Sequence, residues 1–146
     1  MSMRKPHKST LRALAKRFRA WFLTVPEIEE GFEEDLCCAC AIASEALARF
    51  LQREGFDAKF VEGAFDPDFE EEANHCWVEV ADKWIVDITA KQFDSKLPGV
   101  YIVPIDDEDY EVHRTGQYAL RTVRKRWPRE QTPLGRKLPI PKRLAA

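Results

Sequence analysis

Apolar positions recur every three or four residues near the start of the chain. Leu11, Leu14, Phe18, Trp21 and Phe22 fall on one side, with Lys16, Arg17 and Arg19 on the other. This period predicts an amphipathic helix over residues 9–25, capped by Ser9 or Thr10 and stopped by Pro26. The same period returns over residues 36–54, where Leu36, Cys40, Ala43, Leu47, Phe50 and Leu51 form a second stripe. Asp35 is a candidate cap for that helix and Gly55 its stop. Small residues crowd it (Ala39, Ala41, Ala43, Ser44, Ala46 and Ala48), so it can approach a sheet closely and is the expected central helix.

Beyond residue 56 the pattern changes to strands. Residues 56–65 carry Ala58, Phe60 and Val61. Residues 75–80 alternate, with His75, Trp77 and Glu79 on one face and Cys76, Val78 and Val80 on the other. Trp84-Ile85-Val86-Asp87-Ile88 reads as the return strand of a hairpin. A three-residue loop over residues 81–83 pairs Val80 with Trp84 and sets Trp77 opposite Asp87. His75 and Asp87 are then diagonal neighbours on one face, about 7–8 Å apart at the backbone, within reach of a His–Asp pair. A two-residue loop would put them on opposite faces.

The remaining segments are less regular. Residues 1–8 are expected to fray. Residues 66–73 form an acidic loop placed to overhang His75 and favour cationic substrates, and residues 100–103 form a strand ended by Pro104. Residues 117–127 are expected as a helix closed by Pro128. Residues 129–146, with Pro133, Pro139 and Pro141, read as an extended basic tail. The expectation is one domain over residues 1–128, with an N-terminal helix, a core over residues 32–127, and the tail.

A chain of 146 residues at 45% hydrophobic and 33% charged suits one domain with one core. A net charge of −2 provides no overall field for nucleic acid. The charge is blocky, however: residues 1–26 hold seven basic and no acidic residues, and residues 27–35 six acidic and no basic ones. Residues 112–146 hold ten basic residues against Glu130. Basic ends could meet an acidic partner, although solvating the surface is the commoner role of such runs. No stretch reaches the roughly 18 apolar residues of a membrane span, and the charged N-terminus lacks the apolar core of a secretory signal. Four cysteines, three of them within residues 37–40, do not form a disulfide framework; reduced thiols point to the cytoplasm.

A thiol nucleophile needs a base to take its proton and a group to orient that base. The chain supplies a cysteine near a helix start, His75 on one strand and Asp87 on the next. A helix N-terminus favours the thiolate through its unpaired N–H groups and dipole. If the helix begins at residue 36, Cys37 is nearer that end; if residues 33–38 are an approach loop, Cys40 is. Cys37-x-x-Cys40 is also the spacing of a redox pair or half a zinc site. Yet Cys38-Ala39 lacks the intervening Pro or Gly of a redox pair, and adjacent His75 and Cys76 point apart, which hinders shared ligation.

Cys40-Ala-Ile-Ala-Ser44 resembles the nucleophile helix of papain-like cysteine proteases. His75-Cys-Trp77-Val-Glu79 followed by Trp84-Ile-Val-Asp87-Ile-Thr89 is more similar to the transglutaminase-like branch, with its His-x-Trp-x-Glu and Asp-x-Thr strands. The resemblance covers residues 36–93. It implies an α+β, papain-like or transglutaminase-like fold with a central Cys-bearing helix packed on an antiparallel sheet. It implies Cys40 as nucleophile, His75 as general base and acid, and Asp87 as orienting carboxylate. The implied activity is thiol acyl transfer, with hydrolysis of a peptide or amide bond favoured over transglutaminase or deamidase chemistry. No cofactor or metal is implied, and the partner is a peptide or protein substrate. The sequence departs from the papain-like pattern in having acidic residues, and no Gln, ahead of Cys40, which leaves the backbone N–H of Cys40 and a second donor, with Gln92 a candidate, for an oxyanion. A non-catalytic interaction module retaining the fold is the reading from another class.

Overall fold

The computed structural model describes residues 3–31, 39–64, 74–92, 96–105, 125–128 and 138–144. Three helices precede the sheet: α1 (Lys8–Phe22), α2 (Pro26–Gly31) and α3 (Cys40–Arg53). Five strands follow: β1 (Ala58–Ala64), β2 (Asn74–Val80), β3 (Trp84–Asp87), β4 (Tyr101–Pro104) and β5 (Lys125–Pro128). A 3₁₀ turn, Ala90–Gln92, separates β3 from β4. The strands pair in the order β4-β3-β2-β1-β5, every pair antiparallel. The protein is therefore a mixed α and β fold with a helix packed on an antiparallel sheet.

The apolar stripe of α1 is buried as its spacing requires: Leu11, Ala15, Phe18 and Phe22 are inaccessible, with Leu14 and Trp21 at the margin. Phe18 stacks on Phe22 and on Phe50 of α3, with ring centroids 5.8 and 5.6 Å apart. No side chain caps α1, whose N-cap is His7 rather than Ser9 or Thr10. Pro26 does not end this helix; it opens α2, where the first helical position needs no N–H donor. Residues 3–7 are held rather than frayed. The Arg4 amide donates to Gly55 O at 2.8 Å, and Trp84 Nε1 donates to Pro6 O at 2.9 Å.

α3 starts at Cys40, with Ala39 as N-cap. The expected cap, Asp35, and the expected first turn, including Cys37, lie outside the described residues. The helix ends in a Schellman motif: Gly55 N–H donates to Gln52 O and Phe56 N–H to Leu51 O, each at 3.0 Å. Gly55 occupies φ +97°, a conformation that costs an L-residue energy. Gly55→Ala is expected to destabilise the fold by about 1–2 kcal/mol, seen as a lowered urea midpoint with unchanged slope.

The sheet buries both faces. Ala58 and Phe60 of β1, Cys76, Val78 and Val80 of β2, and Val86 of β3 join α1 and α3 in the main core. Val61, Trp77 and Ile85 form a second cluster through the alternate positions. The β2–β3 hairpin has the expected parity, with Val80 opposite Trp84 and Val78 opposite Val86. Ala81 and Asp82, at φ 55° and 51°, close the turn with a Lys83 N–H to Val80 O bond of 3.0 Å. Lys83 is the third loop residue that keeps odd-numbered positions of both strands on one face.

One expectation fails near the C-terminus. Lys125–Pro128, expected to end a helix, pairs with β1 as a fifth strand, Val61 opposite Pro128. Pro128 and Pro104 lie at the ends of the two edge strands, where a missing N–H breaks no inner ladder. The basic tail is also anchored: Leu138 is buried and Ile140 and Leu144 pack against the core. Arg53 donates to Ile140 O at 3.2 Å and Pro141 O at 2.6 Å, fastening residues 138–144 to the end of α3.

Candidate active site

His75 and Asp87 come together on the sheet through the hairpin register. One step along the ladder from Val78–Val86, Trp77 faces Asp87, so His75 is its diagonal neighbour. His75 Nε2 lies 2.6 Å from Asp87 Oδ2, with both side chains wholly buried. The other carboxylate oxygen, Oδ1, accepts from Thr89 N–H at 2.8 Å and from Thr89 Oγ1 at 3.2 Å. Asp87 is thus fixed by its own strand end, and it fixes the imidazole. Trp77 flanks the ring from the same face, centroids 5.9 Å apart.

The thiol arrives from the helix. Cys40 is the first residue of α3, is partly accessible, and lies near enough to His75 and Cys76 for its thiol to be electrostatically coupled to both. Asp87 engages Nε2, and the other ring nitrogen, Nδ1, has the Gln92 side-chain nitrogen 3.4 Å away. His75 and Cys76 leave β2 on opposite faces, and Cys40 packs against the core cluster that holds Cys76. The first N–H groups of α3 have no intrahelical acceptor, and Ala39 provides no side-chain cap, so their partial positive charge is directed at this end.

The electrostatics follow from these contacts. The Cys76 hydrogen bond is the main cause holding the Cys40 thiol down at about 4, against burial, which raises it; the bond to His75 and its positive charge add to the lowering. Burial alone would lower His75, but the charge and hydrogen bond of Asp87, helped by Cys40, raise it to about 10. Cys76 moves the other way: its hydrogen bond to Cys40, burial and the nearby negative charges all raise it, so it stays a thiol. Both shifts favour a thiolate at Cys40 facing an imidazolium at His75.

The structure brings Cys40, His75 and Asp87 into one cluster. Gln92, a candidate oxyanion donor, has its side-chain nitrogen 3.4 Å from His75 Nδ1 and 3.3 Å from Thr89 Oγ1. The acidic segment 66–73 and Cys37 lie outside the described residues. Glu79, expected at the solvent end of its strand, is buried and accepts from Trp77 Nε1 at 3.0 Å. Sequence reasoning quoted Thr89 in the Asp-x-Thr strand and weighed Cys76 only as a zinc ligand, giving neither a role beside His75, and did not single out Glu62. The signals were present: Thr89 stands two residues after Asp87, as a side chain closing on its neighbour must. Cys76 adjoins His75 and faces the helix.

Comparison with known protein families, curated proteins and solved structures finds no match for this chain. Among the described residues no helix is long and apolar enough to cross a membrane.

Proposed function

We propose that this chain is a cysteine-dependent acyltransferase of papain-like or transglutaminase-like type, acting most readily as a peptidase or amidase. The observation that carries the reading is the chain of contacts from Asp87 through a buried His75 to a thiol at a helix N-terminus. The order of elements, Cys helix, His strand and Asp strand in an antiparallel hairpin, supports it as well.

The chemistry runs as follows. The Cys40 thiolate attacks the substrate carbonyl carbon, and the C=O electron pair moves to oxygen. Backbone N–H groups at the start of α3, Cys40 first among them, are the donors for that oxyanion. As the carbon–nitrogen bond breaks, His75 passes the Nδ1 proton to the leaving amine, and a thioester remains on Cys40. Neutral His75 then takes a proton from water as its oxygen attacks the thioester; the carboxylic acid departs and the ion pair is restored. An amine replacing water gives a transferase. Asp87 stays ionised throughout and holds the ring in the tautomer with Nε2–H.

The test is labelling by an acyl-electrophile activity probe in the wild type, Cys40→Ala, Cys37→Ala and His75→Ala. Labelling is expected to vanish in Cys40→Ala, to weaken strongly in His75→Ala and to persist in Cys37→Ala. Labelling that survives Cys40→Ala overturns the assignment. Thiols that all react sluggishly below about pH 8.5 would leave an interaction module as the reading.

A further inference from the structure

Three of the basic residues that open the chain share more than a solvated face. Arg12, Lys16 and Arg19 stand at i, i+4 and i+7 on α1, along one side of the helix. Together they line a cavity of about 440 Å³ between α1 and residues 98–100. That volume lies within the roughly 300–1,000 Å³ of small-molecule sites. Leu23 and Val100 add apolar surface to the lining. α1 contains no acidic residue, and no ion pair among the described residues involves Arg12 or Lys16. Like charges one turn apart repel, so an anion bound among them is favoured twice, by attraction and by relief of that repulsion. Arg19 is already fixed in place: its Nε donates to Ile88 O at 3.1 Å. The Gly99 backbone lies close against its guanidinium, and a Cβ there would stand 3.2 Å from Nη1. Burial pushes the Arg19 guanidinium below its ordinary range, a desolvation that a nearby anion opposes.

We propose that this cavity binds a small phosphomonoester, with Arg12 and Lys16 on the phosphate oxygens, Arg19 as a fixed third charge, and the organic body against Leu23 and Val100. A phosphomonoester carries about −1.5 to −2 charge at neutral pH and three acceptor oxygens, which matches three cations better than a single carboxylate does. Arg12 supplies a planar fork for two of those oxygens and Lys16 a compact charge for the third. The proposal stands apart from the acyl-transfer reading and requires neither Cys40 nor His75.

The experiment is isothermal titration calorimetry of the full chain at low ionic strength with phenyl phosphate, benzoate and inorganic phosphate. Phenyl phosphate is expected to bind at one saturable site, more tightly than inorganic phosphate, which has no apolar body, and than benzoate, which has one charge. Added salt should weaken it. Arg12→Gln combined with Lys16→Gln removes two charges and leaves the Arg19–Ile88 bond intact; it should cost about tenfold in affinity. If the double variant fails to fold, the exposed Lys16→Gln alone should cost about threefold. No saturable binding of phenyl phosphate overturns the proposal, as does unchanged affinity in a folded variant or benzoate binding equally well. Sedimentation with vesicles containing phosphatidic acid separates a lipid phosphate from a soluble one. Capture by those vesicles without binding of phenyl phosphate overturns the small-molecule assignment.

Discussion

Alanine in place of His75 is expected to lower turnover of an acyl substrate by about 10²–10⁴-fold, the usual contribution of a positioned general acid and base. The loss has two sources. No group remains to protonate the leaving amine, and the thiolate loses its imidazolium partner. The Cys40 midpoint should rise above about 4, because the imidazolium charge that favours the thiolate is gone. Paired pH profiles of turnover and alkylation separate the sources: turnover falls at every pH, whereas alkylation recovers as the thiol ionises. Equal turnover in wild type and His75→Ala, with the variant folded, would remove His75 from the chemistry.

How much of this was legible depends on the range of the contact. The hairpin parity could be worked out on paper because it needs only the distance between Val80 and Trp84, and the observed register agrees. The end of α3 was legible because Gly55 announces a left-handed terminus. Its start was not, since several residues before Cys40 can cap or continue a helix. Lys125–Pro128 carries no strand-like alternation; its pairing with β1, more than 60 residues earlier, is a tertiary fact that local propensity does not encode. Glu79 reads as a solvated charge until Trp77 Nε1 is seen donating to it. Cys76 was hidden by the correct rule that adjacent strand residues point apart. The rule holds: the Cys76 thiol turns to Glu62 Oε2 at 3.6 Å while His75 turns to Asp87.

Asp87→Asn is the substitution expected to disturb both the fold and the ion pair while changing almost no volume. Thr89 N–H donates to Oδ1, which pins that atom as an acceptor and leaves the amide nitrogen facing His75 Nε2, where Oδ2 stood at 2.6 Å. A donor facing Nε2 removes the acceptor for its proton, so the ring is held with Nδ1–H and a bare Nε2. Imidazolium formation and proton uptake from the thiol both become unfavourable. The pH dependence of stability makes this measurable. His75, raised to about 10, contributes stability that is full below its unfolded value of about 6.5 and is lost as pH climbs through about 10. Cys40, lowered to about 4, contributes stability that is full above its unfolded value of about 8.5 and is lost as pH falls through about 4. Together they give a plateau from about 6.5 to about 8.5, with a one-proton slope on the acid side and a steeper alkaline slope, where unfolded Cys76 also ionises while the buried thiol does not. Asp87→Asn should lower the plateau and flatten both flanks, as thermal melts at pH 5, 7.5 and 10 would show. Asp87→Ala, which also opens a hole beside a buried ring, should cost about 3–5 kcal/mol at neutral pH. An asparagine variant that keeps the wild-type flanks would mean that the proton shared by Cys40 and His75 does not depend on Asp87, and the carboxylate would then serve only to close the turn at Thr89.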